Sequence, residues 1–423
     1  MTPSIKQRIE QIRRREVPEG YKKEKLGIVP EEWNETSFST LFTSTSDYTD
    51  DLDKYPLYSL TIEDGITPKT ERYKRSHLVK KEDSYKIVRP NDYAYNPMNL
   101  RFGAVARHKG DMPVAVSGYY DIFTTVHESD LPFMDSFLTC GPMITYYNRV
   151  STGSLVEKQR VHFSQFLEFV LPLPSINERA KIAAILTTQD KVIELKEKRL
   201  AQKRRQKKYL MQQLLTGKKR LPRFSGEWKA SRLRNITTRH TKRNTIGNTN
   251  VLTISAQYGL INQAEFFNKA VASDDKSNYF LLEKGDFAYN KSYSNGYPFG
   301  AIKRLTRYEV GIVSPLYICF RIKEGSVSGE YLEQYFEAGL MNHEIQAFAQ
   351  EGARNHGLLN IAVDDFFNSK ILLPSPEEQT AIAEVLSASD REIGLLWQDI
   401  EHEKQKKKAL MQLLLTGIVR VKV

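Results

Sequence analysis

A segment of 50 residues occurs twice in this chain, and no other feature restricts its possible folds as strongly. Residues 171–220 align with residues 371–420 at a constant offset of 200 without a gap, and 20 of the 50 aligned positions are identical. Self-similarity of this length is typical of a repeated architecture, in which each copy forms one structural unit. The 423 residues are therefore expected to form two related halves rather than one continuous core.

Each copy of the repeat is predicted to be helical. Ser175 is followed three residues later by Glu178, which is the spacing of a capping box, and apolar residues then recur at steps of three and four. A second helix start is predicted at 187–190 and again at 387–390, so we expect a short helix followed by a long one in each copy. Gly217 and Gly417 follow the last apolar residues and predict the C-terminal ends.

The predicted long helices show the seven-residue spacing of a coiled coil. The positions at this spacing are Ile193, Leu200, Lys207 and Leu214 in the first copy and Ile393, Ile400, Lys407 and Leu414 in the second. Two amphipathic helices in one chain bury their apolar stripes most simply against each other, as an antiparallel pair. The lysines at these positions either help to set the register or are solvated at frayed helix ends.

The two helical segments differ in charge. Residues 188–220 contain 12 basic and 3 acidic side chains, whereas residues 388–420 contain 6 and 5. A basic helix face either binds phosphates, binds an acidic protein, or is simply solvated.

The segments between the helical copies are also related, although more loosely. The sequence PNDYAYNPMN around Asp92 matches KGDFAYNKSY around Asp286 at an offset of 194. These stretches are rich in β-branched and aromatic residues and are interrupted by Gly, Pro and Asn, which predicts short strands, with Tyr95 and Tyr289 as core aromatics. We therefore predict an α+β fold with a pseudo-two-fold internal repeat. Two globular β-rich domains (1–170 and 221–370) alternate with two helical segments (171–220 and 371–423).

Composition restricts the class of protein further. Lys and Arg total 62 and Asp and Glu total 51, so the formal charge is +11, which favours a polyanionic partner. No apolar run is long enough to span a membrane, and the N-terminal residues lack the apolar segment of a secretory signal, so a cytoplasmic protein is expected. Cys140 and Cys319 lie far apart and predict buried free thiols rather than a disulfide or a zinc site.

The order of domains and helical segments resembles the specificity (S) subunits of type I restriction-modification systems, over almost the whole chain. The resemblance is carried by PLPSINERAKIAAIL and LLPSPEEQTAIAEVL, by the two endings LMQxLLTG, and by the paired DxAYN stretches. The first copy departs from the usual pattern, because Glu178 and Arg179 stand where the second copy has Glu378 and Gln379. We expect this difference to alter a contact and not the fold.

The resemblance implies a function. In that family each variable domain is a target recognition domain that binds one half of a bipartite DNA target. The helices form an antiparallel coiled coil that separates the domains and docks two methyltransferase (M) subunits, through which restriction (R) subunits join. The chain itself is then non-catalytic and needs no cofactor. We predict that the docking residues are Glu178, Ile182, Leu186, Leu210, Leu214, Glu378, Ile382, Leu386, Leu410 and Leu414.

The sequence lacks the catalytic motifs of such systems. The residues 96–99 (NPMN) are the nearest approach to the Asn/Asp-Pro-Pro-aromatic motif of amino-methyltransferases, and no phosphate-binding loop or His-Glu-x-x-His metal motif occurs. A self-contained modification or cleavage enzyme is therefore disfavoured. A coiled-coil scaffold and another kind of non-catalytic DNA-binding protein remain alternatives, although a scaffold leaves two Arg- and Asn-rich domains without a purpose.

Loops rich in Arg, Lys and Asn are predicted to contact DNA, because these side chains donate to base edges and phosphates. In the first domain the predicted residues are Lys69, Arg72, Lys74, Arg75, Asn96, Asn99, Arg101, Lys158 and Arg160. In the second domain they are Arg239, Lys242, Arg243, Asn290, Lys291, Tyr293, Asn295, Arg354 and Asn355. The segment 352–355 resembles a loop near the end of the family's recognition domains that approaches DNA. Because the loops of the two domains diverge, we expect two different half-sites.

Overall fold

The computed structural model describes residues 3–69, 85–155, 159–255, 259–267, 275–294, 296–351 and 359–422. The chain divides into two compact units. Unit 1 consists of residues 1–197 and 399–423, and unit 2 consists of residues 198–398. Each unit combines a β-rich domain with parts of both long helices.

The elements of unit 1 up to the first long helix are α1 (Pro3–Arg13), β1 (Tyr21–Glu24), β2 (Gly27–Pro30), β3 (Asn34–Ser37), α2 (Phe38–Leu41), β4 (Phe42–Thr45), β5 (Tyr48–Thr49), β6 (Tyr58–Thr61), β7 (Gly65–Pro68), β8 (Tyr85–Val88), β9 (Tyr93–Tyr95), β10 (Val105–Arg107), β11 (Val114–Ser117), β12 (Asp121–Thr125), α3 (Leu131–Phe137), α4 (Gly141–Val150), α5 (Phe163–Leu167) and β13 (Val170–Leu173). The long helix α6 (Ile176–Leu214) follows, and its first part, up to Glu197, belongs to this unit.

The sheets of unit 1 are antiparallel. A four-stranded sheet has the order β10-β9-β12-β4, a three-stranded sheet has the order β11-β8-β5, and β3 pairs with β13. Because β13 leads directly into α6, its pairing with β3 fixes the start of the long helix to the domain. The core is built around aromatic rings. Tyr93 stacks on Phe123 with ring centroids 5.2 Å apart, and Phe42 meets Phe123 edge-on at 5.0 Å.

The elements of unit 2 are β14 (Lys229–Arg232), α7 (Leu233–Ile236), β15 (Thr237–Arg239), β16 (Leu252–Ser255), β17 (Gly259–Asn262), α8 (Gln263–Phe267), β18 (Phe280–Glu283), β19 (Phe287–Asn290), β20 (Ala301–Arg304), β21 (Val310–Val313), β22 (Ile318–Ile322), α9 (Gly329–Glu337), α10 (Asn342–Phe348), β23 (Gln350–Glu351), β24 (Leu359–Asn360), α11 (Val363–Asn368) and β25 (Lys370–Leu373). The second long helix, α12 (Pro376–Leu414), follows and contributes its residues up to Gln398.

Unit 2 repeats the plan of unit 1. Its four-stranded sheet has the order β20-β19-β22-β15, β18 pairs with β21, and β14 pairs with β25, the strand that leads into α12. Phe287 stacks on Phe320 at 5.2 Å, in the way that Tyr93 stacks on Phe123 in unit 1. The internal repeat predicted from the sequence is therefore a repeat of the fold.

The long helices are continuous, so the predicted second start at 187–190 and 387–390 is wrong. Polar side chains there bond within the helix instead of capping a new one. Thr188 Oγ1 donates to the carbonyl of Ala184 (2.7 Å), and Ser389 Oγ donates to the carbonyl of Val385 (3.1 Å). A hydroxyl that bonds four residues back is compatible with an unbroken helix, whereas a new N-terminus would leave four backbone N–H groups without partners.

The helices α6 and α12 pair in an antiparallel direction within each unit. In unit 1, Lys407 pairs with Asp190 (2.5 Å), and Lys196 pairs with Glu403 (2.8 Å). Hydrogen bonds from Lys196 and Gln189 lower the pKa of Glu403 to about 2. These contacts confirm the predicted antiparallel pair.

Unit 2 contains the equivalent pairing, with Lys207 against Asp390 (2.5 Å) and Lys203 against Glu392 (2.8 Å). Lys207 and Lys407 therefore bond to the facing helix and are not merely solvated at frayed helix ends. Part of the basic excess of the first helical segment is likewise neutralised within the chain.

The serine half of the predicted capping box is confirmed in both copies, and the glutamate half is wrong. The N–H groups of Glu178 and Glu378 donate to Ser175 Oγ and Ser375 Oγ (3.3 Å each). The glutamate carboxylates do not return to the cap, because each is buried and bonded to side chains from distant segments.

In unit 1 the partners of Glu178 come from the two ends of the sequence. Arg420 Nε donates to Glu178 Oε1 (2.6 Å), Arg420 Nη2 donates to Oε2 (3.0 Å), and Trp33 Nε1 donates to Oε2 (3.3 Å). The buried carboxylate is thereby neutralised and fully hydrogen-bonded. This trio of Glu178, Arg420 and Trp33 attaches the segment that follows α12 to the start of α6.

Unit 2 builds the same trio from Glu378, Arg220 and Trp228. Arg220 donates to both carboxylate oxygens of Glu378 at 2.6 Å, and Trp228 Nε1 donates to Oε2 at 3.3 Å. The repeat therefore reproduces this charged trio residue by residue around both LLTG endings. The trio explains why the arginine three residues after each LLTG ending occurs in both copies.

We expect Arg420→Met to destabilise the protein by about 2–3 kcal/mol. Removing one partner of a buried pair leaves an uncompensated charge, and the partial exposure of Arg420 reduces the usual cost. Urea denaturation of the two proteins measures the difference. Lys408→Met, an exposed position on α12, is the matched control and should leave the midpoint unchanged. Equal midpoints for the Arg420 variant and the parent would contradict the assigned role.

Both helix ends and both cysteines agree with the sequence predictions. Gly217 and Gly417 have φ of +70°, and a Cβ on Gly417 would lie 2.4 Å from Pro30 Cδ, so only glycine fits there. Cys140 and Cys319 are free and buried, and burial raises the pKa of each thiol to about 12.

Candidate nucleic-acid interface

The DxAYN stretches form a rigid turn and strand that present a loop. Asp92 Oδ2 accepts the N–H of Arg89 (2.9 Å), and Asp286 Oδ2 accepts the N–H of Glu283 (2.8 Å). The aspartate of each motif thus closes the turn that precedes β9 or β19. Aspartate is a common turn former because its carboxylate accepts hydrogen bonds from nearby backbone N–H groups. The aspartate of the DxAYN stretch therefore marks this turn in the sequence.

The tyrosines of the motif are core residues, as predicted. Tyr95 and Tyr289 are fully buried. Tyr95 donates to the carbonyl of Val161 (3.1 Å), and Tyr289 donates to the carbonyl of Phe299 (2.6 Å). Each ring therefore anchors the end of the strand from which the loop departs.

The asparagines of the motif shape the loop itself. Asn96 Oδ1 accepts the N–H groups of Met98 (3.1 Å) and Asn99 (3.4 Å), and Asn290 Oδ1 accepts the N–H of Ser292 (3.1 Å). A side chain that accepts from the backbone two residues later is an Asx turn. Asn96 and Asn290, which the sequence predicts as DNA contacts, have this structural role in addition to any contact they make with DNA.

In unit 1 the structure brings two of the predicted DNA-binding loops together. The N–H of Val161 donates to the carbonyl of Pro97 (3.1 Å), and Arg101 Nη1 donates to Gln159 Oε1 (3.0 Å). Arg160 pairs with Thr152 through two backbone hydrogen bonds of 2.9 Å, which close the second loop. The loop after β9 and the loop that ends at Arg160 therefore form one surface.

Unit 2 repeats this arrangement. The N–H of Leu359 donates to the carbonyl of Lys291 (3.1 Å), which places the loop after β19 beside the β23–β24 hairpin. The predicted contacts Arg354 and Asn355 belong to the segment 352–358 that this hairpin flanks, and they lie outside the described residues. Five other predicted DNA contacts also lie outside the described residues, namely Arg72, Lys74, Arg75, Lys158 and Asn295.

The predicted set at 239–243 has a different environment. Lys242 Nζ lies 3.4 Å from Glu283, and the Arg243 guanidinium donates to the carbonyl of Asn278 and lies over the ring of Phe280 (4.9 Å to the centroid). These partners lie on β18 and the turn before it, and not on the loop after β19. Arg239 is exposed on β15, and Lys69 in unit 1 bonds through its N–H to the carbonyl of Leu57 (3.1 Å) after β7.

The predicted docking residues face inward. All of them are buried except Leu210 and Leu410, which are half-buried. In unit 1, Ile182, Leu186 and Leu414 belong to the domain core, and in unit 2 Leu214, Ile382 and Leu386 do. Their direct role is to hold the helices to each other and to the domain, and docking remains a prediction.

Two features were missed by the sequence analysis. Gln159 was not proposed, although it bonds Arg101, because a single glutamine between charged residues gives no signal. Phe102 was not proposed because the search was for hydrogen-bond donors, yet its ring is exposed beside Arg101. The matching sequence PFGA at 298–301 gives no signal for exposure either, because its phenylalanine, Phe299, is partly buried.

Among the described residues, no group of three or more His, Cys, Asp or Glu side chains is arranged to hold a metal ion. Nor does any helix in the described ranges have the length and apolar character needed to cross a membrane.

Comparison with solved structures decides the fold. The S subunit of the type I restriction-modification system from M. genitalium is similar at a TM-score of 0.51 and 11% identity, over 90% of this chain and 96% of that chain. This chain has the fold of a type I S subunit. A chain solved in work on the complex assembly and conformational transition of the type I R-M system gives a TM-score of 0.54 at 13% identity, over 92% of this chain and 99% of that one. No protein-family model matches the sequence.

The predicted fold class is thereby confirmed. The chain combines β-rich domains with two long helices in antiparallel pairing, and the repeat relates the two four-stranded sheets and the two strand pairs β3–β13 and β14–β25. The difference between the two copies at Arg179 and Gln379 alters a contact, as expected. Arg179 Nη1 donates to Asp130 Oδ1 (2.7 Å), whereas Gln379 Oε1 accepts the N–H of Ser328 (2.9 Å).

Proposed function

We propose that this chain is the DNA sequence-specificity subunit of a type I restriction-modification complex, in which each β-rich domain reads one half of a bipartite target. The observation that carries the proposal is that the S-subunit fold presents the same pair of adjoining polar loops in both units. Loops held on a rigid sheet are suited to recognition, because the scaffold positions them and leaves their sequence free to vary. The different loop sequences support two different half-sites.

We further propose that two M subunits dock on the long helices and that R subunits join through them, in the cytoplasm. Since the predicted docking side chains are buried, they act by holding the helices in place. Direct contact then falls to the outward side of the helices, where the equivalent residues Leu195 and Leu395 are 56% and 67% exposed. Exposed leucines at equivalent positions on both helices fit one type of partner that binds twice.

The purified chain is expected to have no methyltransferase, nuclease or ATPase activity, and activity is expected only with M or with M and R subunits. The decisive measurement is methylome sequencing of the host with and without this gene. Loss of one bipartite adenine-methylation motif in the deletion strain would support the proposal. An unchanged methylome, together with no DNA binding by the complex of this chain and M, would favour the scaffold alternative. Methylation of DNA by the pure chain with S-adenosylmethionine would overturn the non-catalytic assignment.

A further inference from the structure

Each unit displays one exposed aromatic ring on the loop that follows its DxAYN strand. In unit 1 the ring is Phe102, which is 49% exposed, on the connection between β9 and β10. In unit 2 it is Tyr293, which is 63% exposed, on the connection between β19 and β20. Single exposed apolar side chains are common on protein surfaces, so the case depends on how these two are held.

The backbone around Phe102 is fixed on both sides. Leu100 is fully buried and begins a 3-10 helix, Leu100–Phe102, which ends at Gly103 with φ of +94°. Asn148 Nδ2 donates to the carbonyl of Arg101 (2.7 Å) from α4. The backbone of such a short, anchored segment loses little conformational freedom when the ring binds a ligand. The entropic cost of ordering the loop is therefore small, and binding is stronger for the same contacts.

Arg101 joins this ring to the second loop. The Arg101 guanidinium carbon lies 4.6 Å from the centroid of the Phe102 ring, and Nη1 donates to Gln159 Oε1 (3.0 Å). Phe102 therefore stands at the junction of the two loops that form the candidate interface, next to a cation suited to a phosphate.

The two units expose an aromatic ring on this loop through residues at different positions. The sequence equivalent of Phe102 in unit 2 is Phe299, which is partly buried against the core, and Tyr289 donates to its carbonyl. The longer unit 2 loop instead exposes Tyr293, two residues after Lys291, whose carbonyl accepts the N–H of Leu359. Different residues thus expose an aromatic ring on the equivalent loop of each unit, and in unit 2 that loop bonds to Leu359 of β24.

We propose that Phe102 and Tyr293 are aromatic wedges that stack on nucleobases, each at an opened base step of its own half-site. This inference rests on the proposed function, since it assigns the rings to the same DNA surface. A ring can reach a base face in a duplex only if a base step is partly unstacked, which apolar side chains achieve in many groove-binding proteins. Each unit would then read the deformability of its half-site as well as its base edges.

The test uses the complex of this chain with its M subunits and a short duplex selected by that complex from a random-sequence pool. 2-Aminopurine is placed in turn at each step of each half-site except at and beside the methylated adenine, because methyltransferases extrude their target base, and its fluorescence reports unstacking. We expect the parent complex to raise the fluorescence at one step per half-site. Phe102→Ala should abolish the increase in one half-site only and weaken binding by about tenfold or more, and Tyr293→Ala should do the same in the other. Tyr293→Phe, which keeps the ring, should behave like the parent.

The matched control is Tyr119→Ala, a 45% exposed tyrosine in the turn between β11 and β12, which should change neither signal. If the parent complex selects no common sequence, the proposed function fails. Suppose instead that the parent complex selects a sequence and the alanine variants bind it as the parent does. The wedge is then overturned while the proposed function stands. The same conclusion follows if the variants lose affinity without a change in fluorescence. Loss of both fluorescence increases from either single variant would also overturn the assignment of one ring to each half-site.

Discussion

Replacing residues 221–370 with the equivalent domain of another chain of this fold is expected to change one half of the methylated target and leave the other half unchanged. Unit 2 supports this independence, because its sheets and its core are complete within residues 198–398. Each mismatched base pair in a specific site costs about 1–3 kcal/mol, so exchange of a whole half-site should shift preference by several orders of magnitude.

The structure sets a condition on this exchange. Trp228 lies inside the exchanged segment and donates to Glu378, which lies outside it, so the donor domain must supply a tryptophan at that position. The measurement is the methylome of a strain that expresses the hybrid. The reciprocal hybrid, with residues 1–170 exchanged, is the control and should change the other half-site. A hybrid with both half-sites altered would show that the domains do not read independently.

Arg179→Gln is expected to destabilise the protein by about 3–5 kcal/mol. Arg179 and Asp130 are both buried, and their bond is 2.7 Å long. Glutamine at 179 can keep the bond to the carbonyl of Pro174, as Gln379 does to Pro374 at 3.0 Å, but it leaves the Asp130 carboxylate buried without its cation. An uncompensated buried charge is among the most costly single changes in a fold.

The second unit provides matched controls for this variant. Asp130 and Ser328 precede the equivalent helices α3 and α9, so Arg179→Gln combined with Asp130→Ser gives unit 1 the residue types of unit 2 and removes the buried carboxylate together with its cation. The double variant should recover most of the lost stability in urea denaturation. Gln379→Arg, which buries a cation beside Ser328, should in turn be destabilising. A single Arg179→Gln variant as stable as the parent would remove the basis of this prediction.

The candidate interface was only partly predictable from the sequence. Local chemistry identified the loops after β9 and β19, because asparagine and glycine at strand ends predict turns. Composition could not reveal that Lys242 and Arg243 have partners on β18 and the turn before it. A basic side chain looks the same in the sequence whether its charge is neutralised within the chain or offered to DNA. The exposure of Phe102 was not predictable either, since its sequence equivalent Phe299 packs inward.

The sequence by itself determined the features that depend on neighbours a few residues apart. These are the duplicated plan, the helical period of α6 and α12, the serine caps at Ser175 and Ser375, and the glycine ends. Helix periodicity and capping act over one or two turns, so a short window of sequence contains all the information they need.

Only the tertiary structure decided which distant groups meet. Glu178 looked like the second half of a capping box, yet its carboxylate bonds Arg420, which is 242 residues away, and Trp33. The continuity of each long helix was decided in the same way. The domain cores bury Ile182 and Leu386 near the helix starts, and the bonds to the facing helix at Lys207 and Lys407 lie farther along, beyond the predicted breaks. Burial of apolar side chains outweighs a local preference for a new helix start, because one fully buried leucine or isoleucine contributes about 1.5–3 kcal/mol and one cap contributes about 1 kcal/mol.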